Sequence, residues 1–237
     1  MRPVTALPDQ ILPPQTAVLV FARTAAAEAC AKPELPAGAS ESACVLLRAR
    51  TLRTARASGL PVIDWDERRQ RGESFGERLT HAVSTAFGAG YRRVVIIGAD
   101  CPELRPAHLL RAARAVEGGG VAIGRDQRGG AYLIGVAAEC FEPERFAALP
   151  WETGRLATAL LAACGRAGLA KARLPLLRDV NRVADFADVL RRLRGTRSWS
   201  RWLRQGPRRL PRRAGTSRPA SIEQRGRASR RGPPVAA

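Results

Sequence analysis

Apolar residues recur along this chain with two alternating rhythms. Short unbroken runs, AVLVFA (17–22), RVVIIG (93–98), VAIG (121–124) and AYLIGV (131–136), are separated by stretches in which apolar side chains return every three or four positions. The runs predict strands buried on both faces, because they lack polar alternation and are rich in Val and Ile. LPVID (60–64) and ARLPLLRDV (172–180) predict two further strands. The helical stripes are Val45, Ala49, Leu52 and Ala55 behind a cap at Ser40, then Leu79, Val83 and Ala86 within 76–87. Leu109, Ala113 and Val116 follow Pro106 and end at the glycines 118–120. Leu156, Leu160 and Ala163 follow Thr153, and Phe186, Leu190 and Leu193 mark a last helix over 182–193.

Strands separated by helix-length segments predict a single α/β domain over 17–193, a mainly parallel sheet flanked by helices. Residues 1–16 form an N-terminal extension. From 194 the pattern stops. The tail, 194–237, is rich in Arg, Pro, Gly and Ser and has no sustained apolar stripe, so disorder is expected.

Charge changes the picture of that tail more than of the domain. The formal net charge is +19, but residues 191–237 alone hold fifteen arginines against one acid, Glu223. The rest of the chain has an ordinary balance. Trp199 and Trp202 among the arginines leave contact with nucleic acid or an anionic membrane open, with a solvated extension preferred.

Composition removes several classes of function. Five cysteines form no CxxC pair and only two histidines, His81 and His108, accompany them, which argues against a disulfide framework and a zinc site. Both histidines fall on predicted helices, so no Ser/His/Asp triad can be built. TAVLVFA, preceded by Asp9 and closed by Arg23, is a weak signal sequence, and no run approaches the roughly 20 apolar residues that span a bilayer. A cytoplasmic location is expected.

In open α/β sheets, ligands bind beyond the carboxyl ends of the strands. RVVIIGADCPEL (93–104) delivers Asp100 just past such an end. This aspartate is either a turn or cap residue before Pro102, or a carboxylate that helps hold Mg2+ or Mn2+ on a diphosphate. Cys101 beside it reads as a small buried residue. Glu77 and Arg78 read as cap or surface residues of their helix.

GADCPEL (98–104) resembles the GTDCPxL motif of a bacterial family of glycosyltransferases, some linked to arsenosugar biosynthesis, with the nucleotide-diphospho-sugar transferase fold of GT-A type. Further similarities follow in that family's order. FAR (21–23) ends the first strand, SFGERL (74–79) resembles DLGERL, and RGGAYLIGV (128–136) resembles DGGYYLIGL. Trp151 and Thr153 match a WST motif, and LRDVNRVADF (177–186) resembles DVDTxEDL. The resemblance spans about 17–190. It implies transfer of a sugar from a nucleotide-diphospho-sugar donor to a small-molecule acceptor, with a divalent cation (Mg2+ or Mn2+) as cofactor. It also implies catalytic roles for Asp100, at the metal, and Asp179. Substrate contacts are implied for Arg23, Lys32, Asp126, Arg128, Gly129, Gly130, Tyr132 and Trp151. The two glycines would let the backbone pass close to the sugar or acceptor. Tyr132 and Trp151 read first as core or wall aromatics that can also line the acceptor side.

The chain departs from the family pattern at three places. The loop TAAAEACAKPEL (24–35) stands where a phosphate-cradling PxPGxxKTRL is expected, with its glycine absent and Glu34 at the arginine's position. Arg128 replaces an aspartate. Asn181 replaces the second aspartate of DVD. Arg128 reads either as a cation paired with the diphosphate or, by preference, as a solvent-facing loop arginine. These departures keep two other functions in view. One is a nucleotidyltransferase of the same fold, and the other a catalytically degenerate binding protein.

Overall fold

The computed structural model describes residues 15–31, 37–180 and 185. A six-stranded sheet is built from β1 (Thr16–Phe21), β2 (Val62–Trp65), β3 (Arg93–Ile97), β4 (Val121–Arg125), β5 (Ala131–Ala137) and β6 (Lys171–Arg173). The strand order is β2-β1-β3-β5-β4-β6. All strands run parallel except β5, which is antiparallel to both of its neighbours. The sheet is therefore α/β and mostly parallel, as the sequence pattern predicts. The reversal at β5 follows from the short link 126–130, which has no room for a crossover helix.

Alternate residues of the central strands feed two cores. Leu19, Val94, Ile96, Ile123 and Ile134 pack with Leu79 and Val83 of α3 (Phe75–Gly88), Phe146 of α5 (Pro143–Ala147), and Leu156 and Leu160 of α6 (Leu156–Arg166). Val18, Val20, Val95 and Ile97 pack on the other face with Ala55 of α2 (Ala37–Arg56) and with Leu109 and Ala113 of α4 (Pro106–Glu117). Both faces are covered, which is why these strands read as unbroken apolar runs. Among the described residues no helix is long and apolar enough to cross a membrane.

Three features differ from the sequence expectation. The segment after β1 is a short helix, α1 (Ala25–Ala31), with no buried residue. It forms from alanine propensity and from Thr24, whose carbonyl accepts from Glu28 N at 2.9 Å, and not from an apolar stripe. α2 begins at Ala37, ahead of Ser40. The strand expected over 172–180 is reduced to β6 and an isolated bridge between Asp126 and Leu177. Pro175 lies between them and has no N–H to continue the ladder. The predicted helix 182–193, apart from Asp185, and the tail from 194 lie outside the described residues, as do Lys32, Glu34 and Asn181.

Candidate functional site

β3 ends at Ile97 and the chain turns through Gly98 and Ala99 into Asp100. Helix α2 holds this turn from one side. Arg50 Nε donates to the Pro102 carbonyl at 2.5 Å, and Thr51 Oγ1 donates to the Ala99 carbonyl at 3.4 Å. Burial lowers the pKa of Arg50, with the charge of Arg53 adding to the effect, but a guanidinium stays charged. On the other side, Val180 N donates to the Asp100 carbonyl at 2.8 Å, so the chain that carries Asp179 is tied to the end of β3. Cys101 points into the protein. Burial pushes its thiol well up, with Asp179 and Glu103 adding to the effect, so it stays protonated and is no nucleophile.

Two cavities meet at this turn. The larger, about 750 Å³, lies over the carboxyl end of β1 and is lined by Arg23, Arg48, Glu67, Arg78 and Asp100. The smaller, about 420 Å³, lies toward β5 and brings together Asp100, Asp126, Arg128, Gly130 and Asp179. Phe21, Phe75, Gly98, Asp100 and Glu152 line both. Asp100 thus stands at the boundary between two spaces of ligand size.

The larger cavity is framed by interactions within the chain. Glu67 accepts from Thr24 N at 2.6 Å and from Thr24 Oγ1 at 2.8 Å, fixing the turn from β1 into α1. Burial pushes the Glu67 carboxyl up, but these two bonds outweigh it and leave its pKa below the ordinary value. Arg23 faces Glu28 at 3.4 Å, Arg48 Nη2 pairs with Asp64 at 2.7 Å, and Arg78 Nη1 donates to the Glu73 carbonyl at 2.7 Å.

The turn between β4 and β5 forms the far wall of the smaller cavity. Asp126 Oδ1 accepts from Arg128 N at 2.6 Å and from Gly130 N at 2.9 Å, an aspartate turn that bends the chain back on itself. Gly129 has φ 88°, and a Cβ there would fall 2.0 Å from the Gly154 carbonyl oxygen. At Gly130 a Cβ would fall 2.3 Å from Asp126 Oδ2. The close approach that these glycines permit is made by the chain itself. Ala157 N donates to the Gly129 carbonyl at 3.0 Å, locking the turn to the start of α6.

Arg128 departs from the preferred reading of a solvent-facing arginine. Its side chain is 45% exposed, but Nη2 pairs at 2.5 Å with Asp185, whose side chain is only 11% exposed. The Asp185 hydrogen bond raises the Arg128 pKa against some loss from burial, and the charges of Asp126 and Asp179 add to it. Arg178 Nε donates to Gln127 Oε1 at 3.0 Å, and Leu177 N to the Arg125 carbonyl at 3.3 Å. The segment bearing Asp179 is therefore clasped to the turn at three points and to Asp100 at a fourth.

The two aromatics act as walls. Tyr132 is 3% exposed, its ring lies over Gly124, where a Cβ would meet it at 2.5 Å, and its hydroxyl donates to the Pro175 carbonyl at 2.8 Å. Neither ring face is open for stacking on a sugar. Trp151 Nε1 donates to the Phe146 carbonyl at 2.8 Å, and its ring packs on Phe75 and Phe146. Gly76 explains part of SFGERL, since a Cβ there would fall 2.1 Å from the Ala147 carbonyl oxygen and 2.6 Å from the Trp151 ring. Ser74 and Glu77 form a reciprocal cap on α3.

Sequence reasoning passed over Glu152. It lines both cavities, and at φ 57° it has positive φ, alone in this among the described non-glycine residues. Its position between Trp151 and Thr153 was the available signal. Backbone strain of this kind concentrates at working sites.

Among the described residues no three His, Cys, Asp or Glu side chains are grouped closely enough to hold a metal ion. Asp100 and Asp179, sharing one cavity, fit instead a hard cation that takes its other ligands from a bound phosphate, a common mode for Mg2+.

Comparison with known proteins agrees with the fold. The structure is similar to that of a "putative nucleotide-diphospho-sugar transferase" from Desulfovibrio desulfuricans G20, with 24% identity and a TM-score of 0.69, over 81% of this chain and 94% of that one. It is also similar to Rv0371c from Mycobacterium tuberculosis H37Rv, with 15% identity and a TM-score of 0.50, over 76% of this chain and 100% of that one. At such identities the likeness shows the fold alone. No curated protein matches the chain. A family model covers residues 33–153, half of the sequence, and includes α3, β3 with Asp100, and the 126–130 turn. By that match the chain belongs to the family described as an uncharacterized protein conserved in bacteria, DUF2064.

Proposed function

We propose that this protein is a glycosyltransferase of GT-A type that takes its sugar from a nucleotide-diphospho-sugar donor and passes it to a small-molecule acceptor. The observation that carries the reading is the place of Asp100 on the shared wall of the two cavities. The nucleotide occupies the larger cavity, where Arg23, Arg48 and Arg78 supply positive charge. The sugar and acceptor occupy the smaller one. The diphosphate then lies at the boundary, beside Asp100. The name of the Desulfovibrio protein of the same fold is consistent with this.

A divalent cation bound with the diphosphate supplies charge neutralisation for a departing nucleoside diphosphate. Asp100 and Asp179 are the residues that would hold it. Asp126 keeps the β4–β5 turn in shape, and Trp151 and Phe75 close the cleft against water. Replacement of the glycine-rich phosphate loop by α1 weighs against a nucleotidyltransferase, whose triphosphate needs such a cradle.

Calorimetric titration of the full chain with nucleoside diphosphates and nucleotide-sugars, with and without Mn2+, tests the proposal. Metal-dependent binding of a nucleotide-sugar, lost in Asp100→Asn, is expected. Absence of binding at millimolar donor would overturn it. Pyrophosphate release from a nucleoside triphosphate without sugar transfer would favour the nucleotidyltransferase.

A further inference from the structure

The smaller cavity has an unusual charge pattern for a site that receives part of an anionic substrate. Four carboxylates line it: Asp100, Asp126, Glu152 and Asp179. Arg128 is the one cationic residue among its described lining residues. That charge is already committed. Arg128 lies between this cavity and a hollow of about 250 Å³ behind the β4–β5 turn, and its guanidinium pairs there with Asp185, which lines only the hollow. Drawing Arg128 back into the cleft would leave Asp185, 8% exposed, without that partner.

We infer that the sugar-side cavity is built for an uncharged, polyhydroxylated sugar and discriminates against acidic sugars such as uronic acids. The inference rests on the nucleotide-sugar reading above. Hydroxyl groups donate to carboxylates, and such charge-assisted hydrogen bonds are the strong ones. A sugar carboxylate in the same position brings no donor, loses its hydration and faces like charges across a few ångströms. Asp100 is offset by any cation that comes with the diphosphate. Asp126, Glu152 and Asp179 remain for the sugar. The departure from the family pattern at position 128 therefore adds no anion-binding group to the cleft, because its charge is spent within the protein.

The test is a comparison of matched donors on the full chain with Mn2+, by calorimetry. UDP-glucose is set against UDP-glucuronic acid and GDP-mannose against GDP-mannuronic acid, with UDP and GDP as references. The neutral member of the pair whose base is accepted is expected to bind at least tenfold more tightly than its acidic counterpart. Asp185→Asn, which frees Arg128, is expected to narrow that ratio about threefold or more, whereas Arg128→Gln leaves it as large or larger. Equal binding of neutral and acidic donors overturns the inference and leaves the transferase reading standing. A ratio unmoved by Asp185→Asn overturns the role given to the Arg128–Asp185 pair. Failure of all these nucleotides to bind overturns the reading and the inference together.

Discussion

The amide of Val180 donates to the carbonyl of Asp100 at 2.8 Å. One backbone bond thus couples the end of β3 to a segment eighty residues further along the chain, and with it the carboxylates of Asp100 and Asp179. Val180 is 2% exposed, so water cannot replace the bond. Val180→Pro removes the donor. It is expected to cost about 1–3 kcal/mol of stability, from the unsatisfied acceptor, and to weaken metal-dependent nucleotide binding several-fold by releasing Asp179. Val180→Ala keeps the N–H and loses only packing, so it should be destabilised yet bind normally. Urea unfolding and calorimetry on both variants separate the two effects.

How much of this was legible in the sequence depends on what each residue was paid to do by its neighbours. Val94 to Ile97 announced a strand covered on both faces, and the two cores explain why no polar alternation appears. Asp100 was legible because a strand end is a local property. α1 was not, since its residues bury nothing and carry no stripe. Arg128 misled in a different way. Its partner Asp185 lies 57 residues away, and no local pattern reveals a pair made by the folding of distant segments. Glu152 was hidden because positive φ in a non-glycine residue is imposed by tertiary context.

The tightest approach in the site lies between Gly129 and Gly154. Gly129→Ala would place a methyl 2.0 Å from a backbone oxygen at φ 88°. Both the clash and the left-handed backbone oppose it, and neither can relax without moving α6 from the turn. A loss of about 2–4 kcal/mol is expected, in the range of overpacking plus backbone strain. Gly88→Ala, where a Cβ meets nothing within 4 Å, is the control and should be neutral or slightly stabilising. Denaturant midpoints for the two variants decide the point.

Glu152 offers the opposite trade. Glycine adopts φ 57° without strain, so Glu152→Gly should gain up to about 1 kcal/mol and raise the melting temperature by a few degrees. If the strained carboxylate serves the ligand that fills the two cavities, the same variant loses donor affinity several-fold. A stabilised variant with unchanged affinity would show the strain to be structural only.

Stability should fall in two waves as pH drops, one for each helix cap. His108, in the first turn of α4, accepts from Arg105 N at 3.2 Å through Nδ1, which requires the neutral ring. Burial lowers its pKa, with the charges of Arg105 and Arg111 adding to the shift. The unfolded chain therefore takes up its proton first, near pH 6.5, and the stabilisation is lost as pH falls from there through the lower folded value. Glu77 is a depressed carboxylate. Its Oε2 accepts from Glu73 N at 2.7 Å and Ser74 N at 3.2 Å, and these bonds hold its pKa below the usual range. Its contribution is complete above the unfolded value, about 4.3, and disappears as pH falls through the folded one. Asp66, lowered chiefly by its Arg68 side-chain hydrogen bond, adds to the same acid wave. His108→Gln keeps an acceptor without the titration and is expected to flatten the melting-temperature curve between pH 7 and 5 while leaving the acid wave in place. Glu77→Gln should do the reverse, lowering the melting temperature slightly at pH 7 and matching the parent at pH 3. Thermal melts of both variants across this range test the assignment, and a wave between pH 7 and 5 that survives His108→Gln would remove His108 as its origin.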